Sequence, residues 1–276
     1  MIEKRELLKV EHLSVWIQNG STETCVLRDV SFSVREGERW AIAGESGAGK
    51  SMTMNAIAAL LPEGSTKYDG RILFRLPDDS WQDLLAMPYR QRRAFLSEQI
   101  AIIFQDSINA LNPNERIRKQ WGETVRLHRG SMPPGKLEEH LLAQMEIFGI
   151  RGGAETLRKY PDQLSGGMRQ RIAIAMALES RAKILIADEP TTSLDAISQR
   201  NTIEFIRTLL EKEGWTLLFI SHNLGLLQSI CDHVIIMKDG SIVEQGLAEE
   251  LFYCGKDAYT RKLVEETLNI MGEEEL

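Results

Sequence analysis

Eight consecutive residues, Gly44, Glu45, Ser46, Gly47, Ala48, Gly49, Lys50 and Ser51, satisfy the pattern G-x-x-x-x-G-K-[ST]. That pattern narrows the choice of fold sharply. Its glycines let successive backbone N–H groups curl around a triphosphate, Lys50 brings a point charge to the β and γ phosphates, and the Ser51 hydroxyl is placed to ligate Mg²⁺. The flanks agree with this. Residues 39–43 are a short strand-like run, and 52–61, opening at Met52, look helical. A strand, a glycine turn and a helix N-terminus together form an anion site. Without those flanks, a glycine-rich turn beside a chance lysine is the competing reading. The expected fold is therefore α/β, with residues 44–52 facing ATP.

Length and composition set the outer bounds. At 276 residues and 43% hydrophobic, the chain can bury a large core as one big domain or two joined ones. A formal net charge of −7 argues against nucleic acid as a partner held by a basic surface. Cys25, Cys231 and Cys254 are odd in number and widely spaced, which suggests neither a disulfide framework nor a Cys-x-x-Cys metal site and fits a reducing cytoplasm. Four of the first six residues are charged and lead straight into a strand, with no export signal expected behind them. No uncharged apolar run reaches bilayer-spanning length, so a membrane role has to come through partners.

Along the chain, runs 8–17 and 26–34 flank a polar turn and read as an antiparallel β entry. Between 88 and 180 the character is mainly helical, with Leu141, Leu142, Met145 and Phe148 at helical spacing and 129–135 as a Pro/Gly loop inside it. Short apolar runs at 184–187, 217–220 and 234–237 then read as strands buried on both faces, with a helix over 198–213 between them. The tail, 249–276, reads as helical and ends in a solvated acidic run.

Ile184, Leu185, Ile186 and Ala187 deliver Asp188 and Glu189 at a strand end, where an open parallel sheet places its ligands. Asp188 is expected to hold Mg²⁺ and Glu189 to orient the attacking water. An isolated Asp-Glu pair reads equally well as a solvated acidic turn; the phosphate loop upstream weighs against that.

At this point the chain resembles the ATP-binding subunit of an ABC transporter. Five motifs follow in the family's order: Phe104-Gln105, Leu164 to Met168, the strand ending at Asp188-Glu189, Ser193-Leu194-Asp195, and Ser221-His222. The resemblance implies an ABC-type nucleotide-binding domain, a P-loop RecA-like core with an antiparallel β subdomain and a helical subdomain. Residues 7–250 would form the ATPase domain, with the helical subdomain at about 88–180 inserted in the core, and 251–276 a helical tail.

The resemblance also implies roles. Gln105 would ligate Mg²⁺ beside Ser51 and Asp188 and sit at the hinge to the helical lobe. His222 would contact the γ-phosphate, acting in catalysis with Lys50 and Glu189. Ser165, Gly166 and Gly167, in a turn before a helix from 168, offer a second phosphate-facing cradle; with Asp195 they would meet the ATP of a partner subunit. Taken alone, Ser165 to Gly167 is also a plain helix cap. Two departures stand out. Asn223 replaces the aspartate that commonly follows the histidine. Where the family stacks an aromatic ring on adenine, register gives Ile17 with Trp16 beside it, on opposite faces of a strand; either residue could meet the base.

Phe104 to Ser107, Ala110 to Pro113, Tyr160 to Gln163 and Tyr259-Thr260 resemble the oligopeptide, dipeptide and nickel importers. That implies uptake of peptides, nickel or metal chelates, powered by hydrolysis of ATP with Mg²⁺. The implied partners are a second ABC ATPase, a paralogue or a second copy, two integral membrane permeases and, indirectly, an extracytoplasmic solute-binding protein, with the chain peripheral on the cytoplasmic face of the membrane. Cys254 alone cannot build the iron-sulfur site of some such members. The alternative is an ABC ATPase of a soluble assembly, such as a phosphonate carbon-phosphorus lyase complex.

Overall fold

Alternating apolar and polar residues near the N-terminus form two long strands, β1 (Glu6–Asn19) and β2 (Thr22–Arg35), paired antiparallel. The chain continues through β3 (Arg39–Ala43), α1 (Lys50–Ile57), β4 (Thr66–Arg75), β5 (Trp81–Asp83), α2 (Tyr89–Gln99), β6 (Ile100–Ile103), α3 (Ile117–Arg129), α4 (Pro134–Ile147) and α5 (Gly153–Arg158). Then follow α6 (Gly166–Ala177), β7 (Ile184–Asp188), α7 (Ala196–Glu213), β8 (Thr216–Ile220), α8 (Leu224–Ile230), β9 (His233–Lys238), β10 (Ser241–Leu247), α9 (Ala248–Cys254) and α10 (Ala258–Glu274). This computed structural model describes residues 5–105, 111–180, 182–190 and 196–274. The backbone divides into two units, Met1–Ser97 with Leu209–Leu276, and Glu98–Thr208.

The first unit carries an antiparallel sheet in the order β2-β1-β4-β5. β4 and β5 escape the sequence pattern for a physical reason. Residues 66–71 of β4 bury no side chain, and only Ile72 and Phe74 reach the core, so the apolar half is too short to read as a strand. The same unit holds β3 between two parallel neighbours, β8 and β9, with β10 antiparallel outside β9. Parallel strands covered on both faces read as continuous apolar runs, and all five residues of β8 and four of the six in β9 are buried.

In the second unit β6 pairs parallel with β7, and four helices, α3 to α6, follow β6. The loop expected over 129–135 is shorter, because Pro134 opens α4 near its first position, where a missing N–H costs nothing. The signature helix also starts earlier than expected. Ser165 is its N-cap, accepting from the Met168 N–H at 3.3 Å, so Gly166 and Gly167 form the first turn. At the far end of α6 the fully buried Glu179 accepts from Trp121 Nε1 at 2.9 Å and Arg129 Nε at 2.7 Å, and His140 Nε2 lies 3.0 Å away. A buried carboxylate needs such partners, and this one joins α3, α4 and the segment after α6.

Candidate functional site

The phosphate loop leaves β3 at Ala43 and enters α1 at Lys50, as a strand, glycine turn and helix. Gly44 has φ +146, and a Cβ there would lie 2.2 Å from the Met237 carbonyl oxygen on β9; no other residue fits that approach. Gly49 takes the left-handed cap position, φ +105, before α1. Lys50 is buried, its ammonium donating to the carbonyls of Gly44 at 2.8 Å and Glu45 at 2.9 Å. Ala48 is buried and Met52 half-buried, while Glu45, Ser46, Gly47 and Ser51 are exposed. Two loop carbonyls thus hold a cation at the head of a helix whose N-terminus favours negative charge.

On β1, Trp16 and Ile17 are both half-buried, and a register shift beside Trp16 interrupts the ladder with β2. The Lys67 ammonium lies 5.2 Å over the Trp16 ring, taking up one face as a cation–π contact.

Ile42 of β3 pairs with Ile220 of β8, so His222 leaves β8 at the same end as the loop leaves β3. His222 is exposed. Asn223 is the N-cap of α8, its side chain accepting from the Leu226 N–H at 3.2 Å. Asparagine and aspartate cap helices about equally well, so the departure at this position retains the capping bond.

In the second unit Ile103 pairs with Ala187, bringing the chain after β6 alongside the end of β7. There Gln105 Nε2 approaches Glu189 Oε2 at 3.5 Å. Glu189 adopts φ +44, a left-handed conformation that L residues take at a cost and that recurs at functional sites. Sequence reasoning missed Gln170. It is buried on α6, donates to the Pro190 carbonyl at 2.6 Å, and accepts from the Thr202 hydroxyl at 3.2 Å. The residue after Glu189 is thereby tied to the helix that carries the signature. The available signal was no more than an amide two residues past the signature motif, Leu164 to Met168. Ser165 and Gly167 are exposed, and a Cβ on Gly167 would meet nothing within 4 Å. Asp195 lies outside the described residues.

The donors expected for Mg²⁺ are a hydroxyl, Ser51, an amide oxygen, Gln105, and a carboxylate, Asp188, all hard oxygens of the kind that ion takes. Among the described residues no group of three or more His, Cys, Asp or Glu could hold a metal ion. Hard-oxygen donors of this kind suit a cation that completes its shell with phosphate oxygens and water.

A family model described as ABC transporter matches residues 27–192. The chain belongs to the ABC transporter family. It is an ATP-binding subunit of that family and an ATPase. It is 38% identical to the dipeptide transport ATP-binding protein DppD of Bacillus subtilis over 94% of this chain and 76% of that one. To the oligopeptide transport ATP-binding protein OppD of the same organism it is 36% identical over 100% of this chain and 76% of that one. The peptidoglycan transport ATP-binding protein YejF of Agrobacterium fabrum shares 40% identity over 94% of this chain, which spans only 46% of that relative. Among solved structures, cbiO1 from Clostridium perfringens, part of the transporter complex cbiONQ, superposes with a TM-score of 0.74 at 27% identity, over 99% of this chain and 100% of that one. The ADP- and phosphate-bound dimeric cassette MJ0796 gives 0.72 at 23% identity, over 88% and 99%, and shares the fold.

Proposed function

We propose that this subunit hydrolyses Mg²⁺-ATP to drive an importer of the peptide class through partner permeases. The observation that carries the reading is the buried Lys50 ammonium, held by the carbonyls of Gly44 and Glu45 in a glycine loop at a helix N-terminus. Peptide cargo is favoured by the names of the dipeptide and oligopeptide relatives; neither is named for nickel or a metal chelate.

Residues 44–52 bind the triphosphate, Lys50 neutralising charge on the β and γ phosphates. Ser51, Gln105 and Asp188 would hold Mg²⁺, which would supply further charge neutralisation. Glu189 accepts a hydrogen bond from the attacking water and aligns it, and Gln105, at hydrogen-bond range of the same carboxylate, steadies it. His222 contacts the γ-phosphate. Trp16 or Ile17 meets adenine. Ser165, Gly166, Gly167 and Asp195 act on ATP held by a second ATPase, a paralogue or another copy, so catalysis requires a dimer. Residues 7–250 form the ATPase domain, 88–180 its helical insertion, and 251–276 the tail. Two permeases and, through them, a solute-binding protein complete the assembly, with this chain on the cytoplasmic face. Among the described residues no helix is long and apolar enough to cross a membrane.

The decisive experiment measures fluorescent-nucleotide binding and phosphate release on the purified chain. Glu189→Gln is expected to bind ATP as wild type while turnover falls about 10²- to 10⁴-fold. Lys50→Ala is expected to lose binding. Unchanged hydrolysis in the first, or unchanged affinity in the second, would remove the corresponding role.

A further inference from the structure

The tail received no chemistry from its sequence, yet its last helix reaches the phosphate loop. Tyr259, in the first turn of α10, accepts a hydrogen bond on its hydroxyl from the Glu45 backbone N–H at 3.1 Å. Glu45 is the residue whose carbonyl holds Lys50 at 2.9 Å. The peptide units flanking one loop residue are thus gripped from both sides, by the lysine within the loop and by a tyrosine 214 residues away. A weaker ion pair, Lys262 Nζ to Glu45 Oε1 at 3.8 Å, joins α10 to the same residue.

The tyrosine is held in place by a bonded turn. Glu244 on β10 accepts the backbone N–H groups of Lys256 and Asp257 at 2.9 and 3.1 Å, and Asp257 Oδ1 accepts that of Tyr259 at 2.7 Å. The Lys238 ammonium, at the end of the strand whose Met237 carbonyl abuts Gly44, stacks over the Tyr259 ring at 4.9 Å. Burial pushes the phenol above its ordinary value of 10.0, so the hydroxyl stays protonated over any working pH. α10 also packs on α8, the helix that follows His222.

We infer that Tyr259 is a positioning residue for the phosphate loop, making the C-terminal helix part of the nucleotide site. The inference rests on the reading of residues 44–51 as that site. By fixing the direction of the peptide unit between Gly44 and Glu45, the tyrosine preorganises the loop before nucleotide arrives, lowering the ordering cost of binding. Through α10 the loop and the helix after His222 share one support.

The test uses the full chain with Tyr259→Phe, which removes the hydroxyl and keeps the ring, alongside Tyr253→Phe on the exposed side of α9 as control. One hydrogen bond predicts a weakening of ATP binding and a rise in KM of about 2- to 10-fold, with kcat and the nucleotide-free melting temperature unchanged and the control like wild type. Amide exchange of Glu45 is expected to accelerate in the variant by a similar factor, a readout that a role in general stability would not move. Wild-type affinity in Tyr259→Phe, or unchanged Glu45 exchange, overturns the inference while leaving the ATP site standing. Lys50→Ala, measured in parallel, separates the two: undiminished binding there overturns the site and the inference together.

Discussion

Gly44 leaves no room for any side chain, because its φ of +146 and the Met237 carbonyl, 2.2 Å from where a Cβ would sit, act at once. Gly44→Ala is expected to lose about 2 kcal/mol or more of stability and to weaken ATP binding, read by urea unfolding and nucleotide titration; wild-type values in both would refute it. Glu244 makes a second residue-scale case. Burial opposes its ionisation, but the N–H groups of Lys256 and Asp257 and the Lys256 charge outweigh it and hold the carboxyl below its ordinary 4.5. A carboxyl with a lowered folded pKa stabilises the fold while ionised, so its contribution is whole above 4.5 and is lost as pH falls through the depressed value. Acid titration of wild type and Glu244→Gln should therefore show a stability gap at neutral pH that closes below that range. A gap that persists in acid would exclude this origin.

At the scale of elements, the second unit depends on one buried carboxylate. Glu179 meets Trp121 and Arg129 of α3 and His140 of α4, so Glu179→Ala leaves a buried indole N–H and a guanidinium without their acceptor. The expected loss is about 3–5 kcal/mol, measured by denaturation, and a change under about 1 kcal/mol would show that α3 and α4 are held by apolar packing alone. The helical character of 88–180 is legible in the sequence, but the bounds of its helices are not. Ser165 reads as a helix cap from its neighbours alone, whereas Pro134 falls in the expected loop and Asn223 carries no expected helix start; the structure places a start at each. β4 is not legible, because only two of its ten residues are buried and its pairing with β1 is a property of the partner strand.

The whole molecule is an ABC ATPase whose signature segment, exposed at Ser165 and Gly167, is proposed to serve a second copy or a paralogue. If so, Glu189→Gln with ATP should shift the chain, alone or mixed with its paralogue, to a dimer in size-exclusion chromatography with light scattering, while Ser165→Arg in the same background keeps it monomeric. A monomer in every case would refute action across a dimer. The sequence by itself determined the phosphate loop, the acidic strand end and the family, because each of these is written in residues that adjoin along the chain and carry their chemistry at fixed spacing. Only the tertiary structure decided that Gln170 holds Pro190, that Glu179 gathers three donors, and that Tyr259 grips Glu45. Those are single polar contacts between distant segments, made where packed strands and helices deliver them, and no local pattern encodes which donor will find which acceptor.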